Sequence, residues 1–410
     1  MCPTNLNQAS TEWADRPADQ RFWTLSEMHA VTTRSRHAST EAVVDLASAR
    51  IGHGLGNGEM LFIDEHFNAP VSCSRLTNYA FGQLCRTFEA PASYLRTLPV
   101  ELAVDCLEDG RKRWLGAGAS STRQMLYQGS DPVRPDDGTG LPQTTLRAAT
   151  SERYVRVWNS EIVHRLIGLQ EDGWRVPPAR PVGADSARTR LATEKDVIDY
   201  GHESALTVKV GDLIGPAGLY ASDHDMFAFL VHPEVVIEDG ESPGGLRRGT
   251  MIRQSEVGDC AIWKLDFLFN TVCGNHIVWG AQDVTETRVR HTGSSVQERW
   301  VAMVQSISEY AQGSASEQES QIQSAKELIL GESREEVMDL LFGKRMLGKR
   351  DAGAAYDLAA SFESVHGNPR SAWGMVQGVT RLSQKTGHTD RRAALDIAAG
   401  KILAGAISLN

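Results

Sequence analysis

The hydrophobic and polar positions after residue 260 alternate in the way that a β-strand requires. Five apolar residues fall on one face of this segment: Ala261, Trp263, Leu265, Phe267 and Phe269. Polar residues occupy the other face, among them Lys264, Asp266 and Asn270. Because successive side chains of a strand point to opposite faces, this alternation predicts a strand with one face in a core.

Other patterns predict that residues 144–312 form the main domain, an α+β unit. Three segments are typical of strands: Tyr154–Trp158, Met226–Val231 and Val235–Ile237. Asn159 stands at the N-cap position of a helix with an apolar face. Ser295 and Glu298 have the spacing of a capping box and predict the start of a long helix.

The regions on either side of this domain have different patterns. Residues 1–40 are polar and predict a loosely ordered tail. Residues 41–143 predict a small α+β unit followed by a loop, with Ser74 as the N-cap of a helix. Residues 313–410 have helical spacing and predict an all-helical region. The predicted fold class is therefore α+β, a central curved antiparallel sheet packed by helices with an all-helical C-terminal region.

Length and charge set limits on function. A chain of 410 residues exceeds the size at which one core stops growing, so two or three packed units are expected. Its formal net charge of -10 does not attract the whole molecule to DNA, RNA or an anionic membrane. Any nucleic-acid site must therefore be a local basic strip.

The sequence predicts a cytoplasmic protein that does not enter a membrane. No run approaches the ~20 apolar residues that a transmembrane helix needs. The polar start of the chain lacks the apolar centre of a secretory signal. The six cysteines form no Cys-x-x-Cys pair, which favours reduced thiols over a disulfide scaffold.

The motifs for cofactors and metals are incomplete. The segment from Gly343 to Arg350 has the glycine and lysine spacing of a phosphate-binding loop, but Arg350 stands where a Ser or Thr hydroxyl must bind magnesium. A zinc set could be drawn from four residues: Cys260, Cys273, His276 and His291. These residues include no close cysteine pair, so we expect neither a nucleotide cofactor nor a metal.

Arginines around the predicted sheet favour nucleic-acid binding. In the run Arg288-Val289-Arg290 the two guanidinium groups would project from one strand face, with the valine opposite. Cations that bind phosphate and aromatic rings that stack on bases are the ingredients of a single-strand groove. The candidate contacts are Arg253, Lys264, Arg288 and Arg290, with Trp263 or Trp279 as the stacking platform. Packing of the same residues in the core is the alternative interpretation.

Two other functions stay open at this point. Carboxylates and imidazoles close together in sequence could serve acid–base catalysis or hold a divalent ion. The candidate pocket consists of Asp223, His224, Asp225, Asn275 and His291, and it would belong to an enzyme or a small-molecule binder. The third hypothesis is a protein-binding factor, for example one that blocks a host defence complex.

Several short blocks resemble a family of uncharacterised proteins that prophages and plasmids encode. The blocks are Leu76–Leu84, Ser151–Tyr154, Ser255–Gly258, Val272–Asn275, Arg290–Gly293 and Trp373–Thr380. They occur in the right order and span roughly residues 50–400. The resemblance implies a phage or plasmid element protein, and that family has no agreed activity to transfer.

The order of predicted elements also resembles that of the ring-forming single-strand annealing proteins, the RecT and Redβ class. A strand leads into the helix at Asn159, Gly173-Trp174 follows, and a series of strands precedes the helix at Ser295. This resemblance implies a homo-oligomer that binds single-stranded DNA in a basic groove and anneals strands without a nucleotide cofactor. That is our leading hypothesis from the sequence.

Overall fold

A computed structural model describes most of the chain. The described residues are 20–54, 60–64, 72–118, 121–129, 144–177, 188–198, 208–216, 218–238, 245–270, 285–361 and 367–385, with 395, 398–399, 401–402 and 405. Within them lie two large β-sheets and ten α-helices. Mixed α+β structure and an all-helical C-terminal region are therefore confirmed.

A six-stranded sheet forms the first unit, after helix α1 (Leu25–His37). Its strands are β1 (Ser39–Asp45), β2 (Ala49–His53), β3 (Met60–Asp64), β4 (Ser72–Leu76), β5 (Thr122–Gln128) and β6 (Thr144–Thr150). Their order is β1-β5-β6-β4-β3-β2, and all neighbours are antiparallel except β4 and β6. Three helices accompany it: α2 (Asn78–Thr87), α3 (Ala92–Leu95) and α4 (Val100–Gly116). Phe62, Leu84 and Leu107 are fully buried between sheet and helices.

The second unit is a five-stranded antiparallel meander. It follows helix α5 (Asn159–Gly168) and the short pair β7 (Arg190–Leu191) and β8 (Leu213–Ile214). Its strands are β9 (Leu219–Ala221), β10 (Met226–Ile237), β11 (Leu246–Gln254), β12 (Ile262–Asn270) and β13 (Thr285–Val289), each paired with the next. Helix α6 (Val296–Gln312) then packs on β12 and β13.

One face of this meander and the helices α1, α5 and α6 share a core. Leu230 and Ile262 of the sheet are buried there with Met28 of α1, Leu166 of α5 and Val304 of α6. Full burial of such a side chain is worth roughly 1.5–3 kcal/mol of transfer free energy. The apolar faces of three helices therefore fix the sheet in place.

The C-terminal region is built from helices. These are α7 (Ser316–Glu327), α8 (Arg334–Gly343), α9 (Lys349–Ala360) and α10 (Ala372–Lys385). Trp373 and Val376 of α10 are buried in a core that also includes Ile237 and Leu246 of the meander. The helical region is thus anchored to the far ends of β10 and β11.

The structure corrects several local predictions. Residues 25–37 are helical, not loosely ordered, because Leu25 and Met28 pack into the core of the meander. Ser74 lies within β4, and the N-cap of α2 is Thr77, whose hydroxyl accepts from the backbone N–H of Ala80 at 3.1 Å. Ser295 is the N-cap residue of α6, but its side chain makes no capping hydrogen bond.

Two boundary predictions also differ from the structure. Residues 154–158 are extended, but they pair with the meander only through a bridge between Tyr154 and Thr292. Tyr154 Oη and Arg156 Nη1 donate to backbone carbonyls between β11 and β12, and the Val155 N–H donates to the carbonyl of His291 after β13. Strand β6 completes the first sheet, although the sequence places its residues in the main domain. Among the described residues, every helix is too short or too polar to span a bilayer.

Candidate functional site

One end of the meander gathers segments that are far apart in the sequence. Strand β10 begins there, β11 ends, β12 begins and β13 ends. Along one row Phe227 lies opposite Arg253, Arg253 opposite Trp263, and Trp263 opposite Arg288. We call this region, residues 222–227, 253–263 and 288–292, the junction end, because it meets the six-stranded sheet.

Glu256 is the buried carboxylate at the centre of the junction end. Its Oε2 accepts from Arg147 Nη2 of β6 at 3.0 Å, and its Oε1 accepts from the backbone N–H of Asn159 at 2.7 Å. Its own backbone carbonyl accepts from Arg156 Nη1, and that guanidinium also pairs with Glu41 of β1. A charged side chain buried in this way is stable only with such partners.

Further hydrogen bonds join the two sheets beside Glu256. Gln83 of α2 donates to the carbonyl of Val257 at 2.7 Å and accepts from the backbone N–H of Ala149 at 2.8 Å. Tyr154 Oη donates to the carbonyl of Ser255 at 2.7 Å. The turn after β11 is therefore held by hydrogen bonds from both sides.

Arg253 and Trp263 are not placed to contact a nucleic acid in this structure. Arg253 is 3% exposed, and its Nη2 lies 2.9 Å from Asp225 Oδ2 and 3.6 Å from Asp259 Oδ2. Trp263 is 2% exposed and packs within the sheet. The two carboxylates neutralise Arg253, and the burial of Trp263 leaves no aromatic face for a base, so both sequence predictions are corrected.

Lys264 is also enclosed, on the face of the meander that α6 covers. Its Nζ pairs with Asp266 and donates to Ser306 Oγ of α6 at 2.8 Å. Thr250 Oγ1 donates to Asp266 Oδ1 at 2.7 Å. Burial raises the pKa of Asp266, and Lys264 opposes that shift. The alternation predicted for β12 is correct, but its polar face meets a helix, so Lys264 is not exposed to phosphate.

Arg288 and Arg290 are exposed, and Val289 between them is buried. The register places Arg288 on the face of the sheet opposite α6, because Val289 packs into the core beneath that helix. Arg153 is exposed next to Tyr154, which bridges to Thr292 just beyond the strand. Three arginines therefore lie near the end of β13 and are accessible to solvent.

His291 is buried behind these arginines. Its Nδ1 lies 3.0 Å from the carbonyl of Val155, and its ring stacks on Tyr154 with centroids 4.9 Å apart. Burial lowers the pKa of His291 to about 4, so the imidazole is neutral at physiological pH. His291 is thus a packed residue that positions Tyr154, and it lines no described pocket with Asp223.

Asp223 and His224 do line a cavity. It measures about 470 Å³ and opens between helices α2 and α3 and the turn that precedes β10. Its lining residues are Asn78, Tyr79, Gly82, Arg86, Ala92, Arg96, Asp223 and His224. Asp225 is fully buried behind it, on Arg253. Two residues of the predicted Asp/His pocket, Asp223 and His224, therefore line one cavity together with arginines from the first unit.

Several predicted residues lie outside the described part of the chain. These are Trp279, Asn275, Cys273 and His276. The stacking role of Trp279 and the pocket role of Asn275 stay predictions. Among the described residues no group of three His, Cys, Asp or Glu side chains is arranged to hold a metal ion.

The sequence did not identify the residues whose hydrogen bonds hold the junction end together. In the sequence Arg147 is one arginine among several, and Gln83 and Glu256 stand out only as members of the blocks that carry the family resemblance. The polar turn Ser255–Gly258 between two predicted strands could have indicated a structured contact, but the residues that bind it lie far away in the chain.

No family model, no curated protein and no solved structure matches this chain.

Proposed function

We propose that the protein is a phage- or plasmid-type DNA-binding protein that binds single-stranded DNA beside β13. It acts as a homo-oligomer and anneals strands without a nucleotide cofactor. The observation that carries the proposal is the pair Arg288 and Arg290, both exposed on either side of Val289, the buried last residue of β13.

The geometry of this pair suits a polynucleotide backbone. Residues two apart in extended backbone are separated by roughly 6.5–7 Å, so Arg288 of β13 and Arg290 just after it can contact separate phosphates of one DNA strand. Arg153 adds a third cation beside Thr292. Guanidinium is planar and strongly charged, and its fork of donors matches phosphate oxygens.

Buried residues behind this surface hold the backbone that carries the arginines. Val289 anchors β13 on the helices, and the stacked rings of His291 and Tyr154 hold the chain that follows. Trp158 is covered by the guanidinium groups of Arg36 and Arg156, at 5.4 and 5.9 Å from its centroid. Since this tryptophan and Trp263 are already packed, binding should depend mainly on charge.

The test is the double substitution Arg288→Glu/Arg290→Glu, measured by fluorescence anisotropy with a labelled single-stranded oligonucleotide. We expect binding to be lost, while the midpoint of thermal unfolding barely moves, because exposed charges contribute little to stability. The milder Arg290→Gln should weaken binding to all sequences and reduce the salt slope by about 0.7.

The matched control is Lys112→Glu/Arg113→Glu, which makes the same change of charge at two exposed positions on α4. It should bind as the parent does. Equal loss in both double variants would mean a nonspecific charge effect, and parental binding by Arg288→Glu/Arg290→Glu would remove β13 from the site.

Two further measurements test the rest of the proposal. Complementary oligonucleotides should anneal faster with the protein than without it, in the absence of nucleotide. Light scattering should give a mass well above that of one chain. A monomeric mass with and without oligonucleotide would contradict the oligomer.

A further inference from the structure

The cavity between the two units is lined by basic groups from three elements. Arg86 projects from α2, Arg96 follows α3, and His224 lies in the turn before β10. Asp223 is the one acidic side chain among its lining residues. When His224 is protonated, the described lining therefore holds three cations and one carboxylate.

Both arginines are held in place by neighbours. Arg96 Nε donates to Asn78 Oδ1 at 2.8 Å, and its Nη2 donates to the Asn78 carbonyl at 3.2 Å. The guanidinium of Arg96 also lies 5.0 Å from the centroid of Phe81, and that of Arg86 lies 6.0 Å from the centroid of Tyr79. Preorganised guanidinium groups lose less entropy on binding an anion.

His224 lies between carboxylates that favour its charged form. Its Nδ1 lies 3.0 Å from Asp223 Oδ1, and its Nε2 lies 3.5 Å from Asp225 Oδ1. The hydrogen bond to Asp223 is the main cause that raises the pKa of His224, and Asp225 and Asp259 act in the same direction. Desolvation opposes the shift. Arg253 neutralises Asp225 from behind, so little negative charge faces the cavity beyond Asp223.

The rest of the lining suits a nucleotide. Tyr79 is near-parallel to the imidazole of His224, with ring centroids 6.1 Å apart, and burial raises the pKa of Tyr79 to about 12, so its hydroxyl stays neutral. Asn78 and Tyr79 belong to the first turn of α2, the end of a helix that favours anions. A cavity of about 470 Å³ lies within the range of small-molecule sites.

We propose that this cavity binds a phosphomonoester dianion carried by a nucleotide, with Arg86, Arg96 and His224 as the phosphate contacts. The choice of a nucleotide as the carrier rests on the proposed function. The phosphate is either the 5′-terminal group of a DNA strand or that of a free nucleoside monophosphate. The two sources share one chemistry and are separated by the choice of probe.

The experiment uses the full chain and four probes. These are a 3′-labelled oligonucleotide with a 5′-phosphate, the same oligonucleotide with a 5′-hydroxyl, a nucleoside 5′-monophosphate and inorganic phosphate. We expect the 5′-phosphate to increase oligonucleotide affinity about tenfold, because charge-assisted hydrogen bonds are worth more than neutral ones. Arg86→Gln and Arg96→Gln should each abolish that advantage.

Arg113→Gln is the control, since this arginine is exposed on α4 and pairs with Asp109 away from the cavity. It should keep the advantage. A second readout is the affinity ratio between the parent and His224→Asn, which keeps a donor toward Asp223 and carries no charge. That ratio should fall as the pH rises through the raised pKa of His224, because the parent then loses the cation that the variant never has.

The outcomes separate this inference from the proposed function. If the oligonucleotide binds through Arg288 and Arg290 but its 5′-phosphate has no effect and the monophosphate does not bind, the phosphomonoester site is wrong and the proposed function stands. If the monophosphate binds in an Arg86- and Arg96-dependent way without any oligonucleotide binding, the site stands and the proposed function fails. Binding that Arg113→Gln weakens equally would overturn the site.

Discussion

Arg147 and Glu256 meet at 3.0 Å between Nη2 and Oε2, and their side chains are only 3% and 2% exposed. Arg147 belongs to the six-stranded sheet and Glu256 to the turn after β11, so the contact joins the two units. Arg147 also donates to the carbonyl of Asp223, at 2.9 Å through Nη2. One ion pair therefore fixes both the junction end and the turn that carries His224.

The substitution Glu256→Gln should destabilise the protein by about 3 kcal/mol. It keeps the shape of the side chain but leaves the Arg147 charge buried without its carboxylate, and breaking one partner of a buried pair costs roughly 3–5 kcal/mol. The free energy of unfolding from urea titration measures the effect. Arg113→Gln breaks an exposed pair instead and should change the same quantity by less than about 1 kcal/mol. Equal stabilities of the parent and Glu256→Gln would contradict the central role of this pair.

Gly378 lets helices α9 and α10 approach closely, and Gly378→Ala should lower stability by about 1–2 kcal/mol. A Cβ at this position would lie 2.0 Å from the carbonyl oxygen of Ala355 and 2.8 Å from its carbon, so backbone would have to move. Overpacking of this kind costs roughly 1–3 kcal/mol, more than alanine gains in helix propensity.

The control for this substitution is Gly116→Ala at the end of α4, where a Cβ would meet no described atom within 4 Å. It should be neutral or stabilising by up to about 1 kcal/mol. Thermal unfolding of both variants provides the measurement. An unchanged unfolding midpoint for Gly378→Ala would show that α9 and α10 can move apart without loss of stability.

The sequence predicts where strands and helices form better than it predicts which of them pack together. Alternation from Ala261 onward identifies β12 correctly, because side-chain period is a local property. Period alone does not reveal what covers each face. The prediction that Lys264 is available to phosphate is therefore wrong, since α6 packs over it.

The candidate site is predictable only in part for the same reason. Asp223 and His224 are adjacent in the chain, so their proximity is evident from the sequence. Arg147 and Glu256 are 109 residues apart, and their pairing depends on how two sheets meet. The arginines of the cavity, Arg86 and Arg96, come from the first unit, and no local signal relates them to His224.

His291 should make the protein less stable as the pH falls from 7 to 4. Its pKa is lowered from 6.5 to about 4 in the folded protein because burial disfavours the charged ring. A histidine with a depressed folded pKa contributes its stability above the unfolded pKa, and that contribution is lost as the unfolded chain takes up a proton below about 6.5. This difference between the folded and unfolded pKa corresponds to roughly 3 kcal/mol once the pH reaches about 4.

The variant His291→Asn isolates this effect, because an asparagine amide can still donate to the carbonyl of Val155 but does not titrate. Loss of the stacking on Tyr154 should lower the stability of the variant by a similar amount at every pH. The difference in unfolding free energy between parent and variant should therefore shrink as the pH falls through 6.5, and at low pH it can change sign. Urea titrations at several pH values measure it. Parallel pH profiles for the two proteins would mean that His291 is protonated in the folded state or reached by solvent, and the buried stack on Tyr154 would then be wrong.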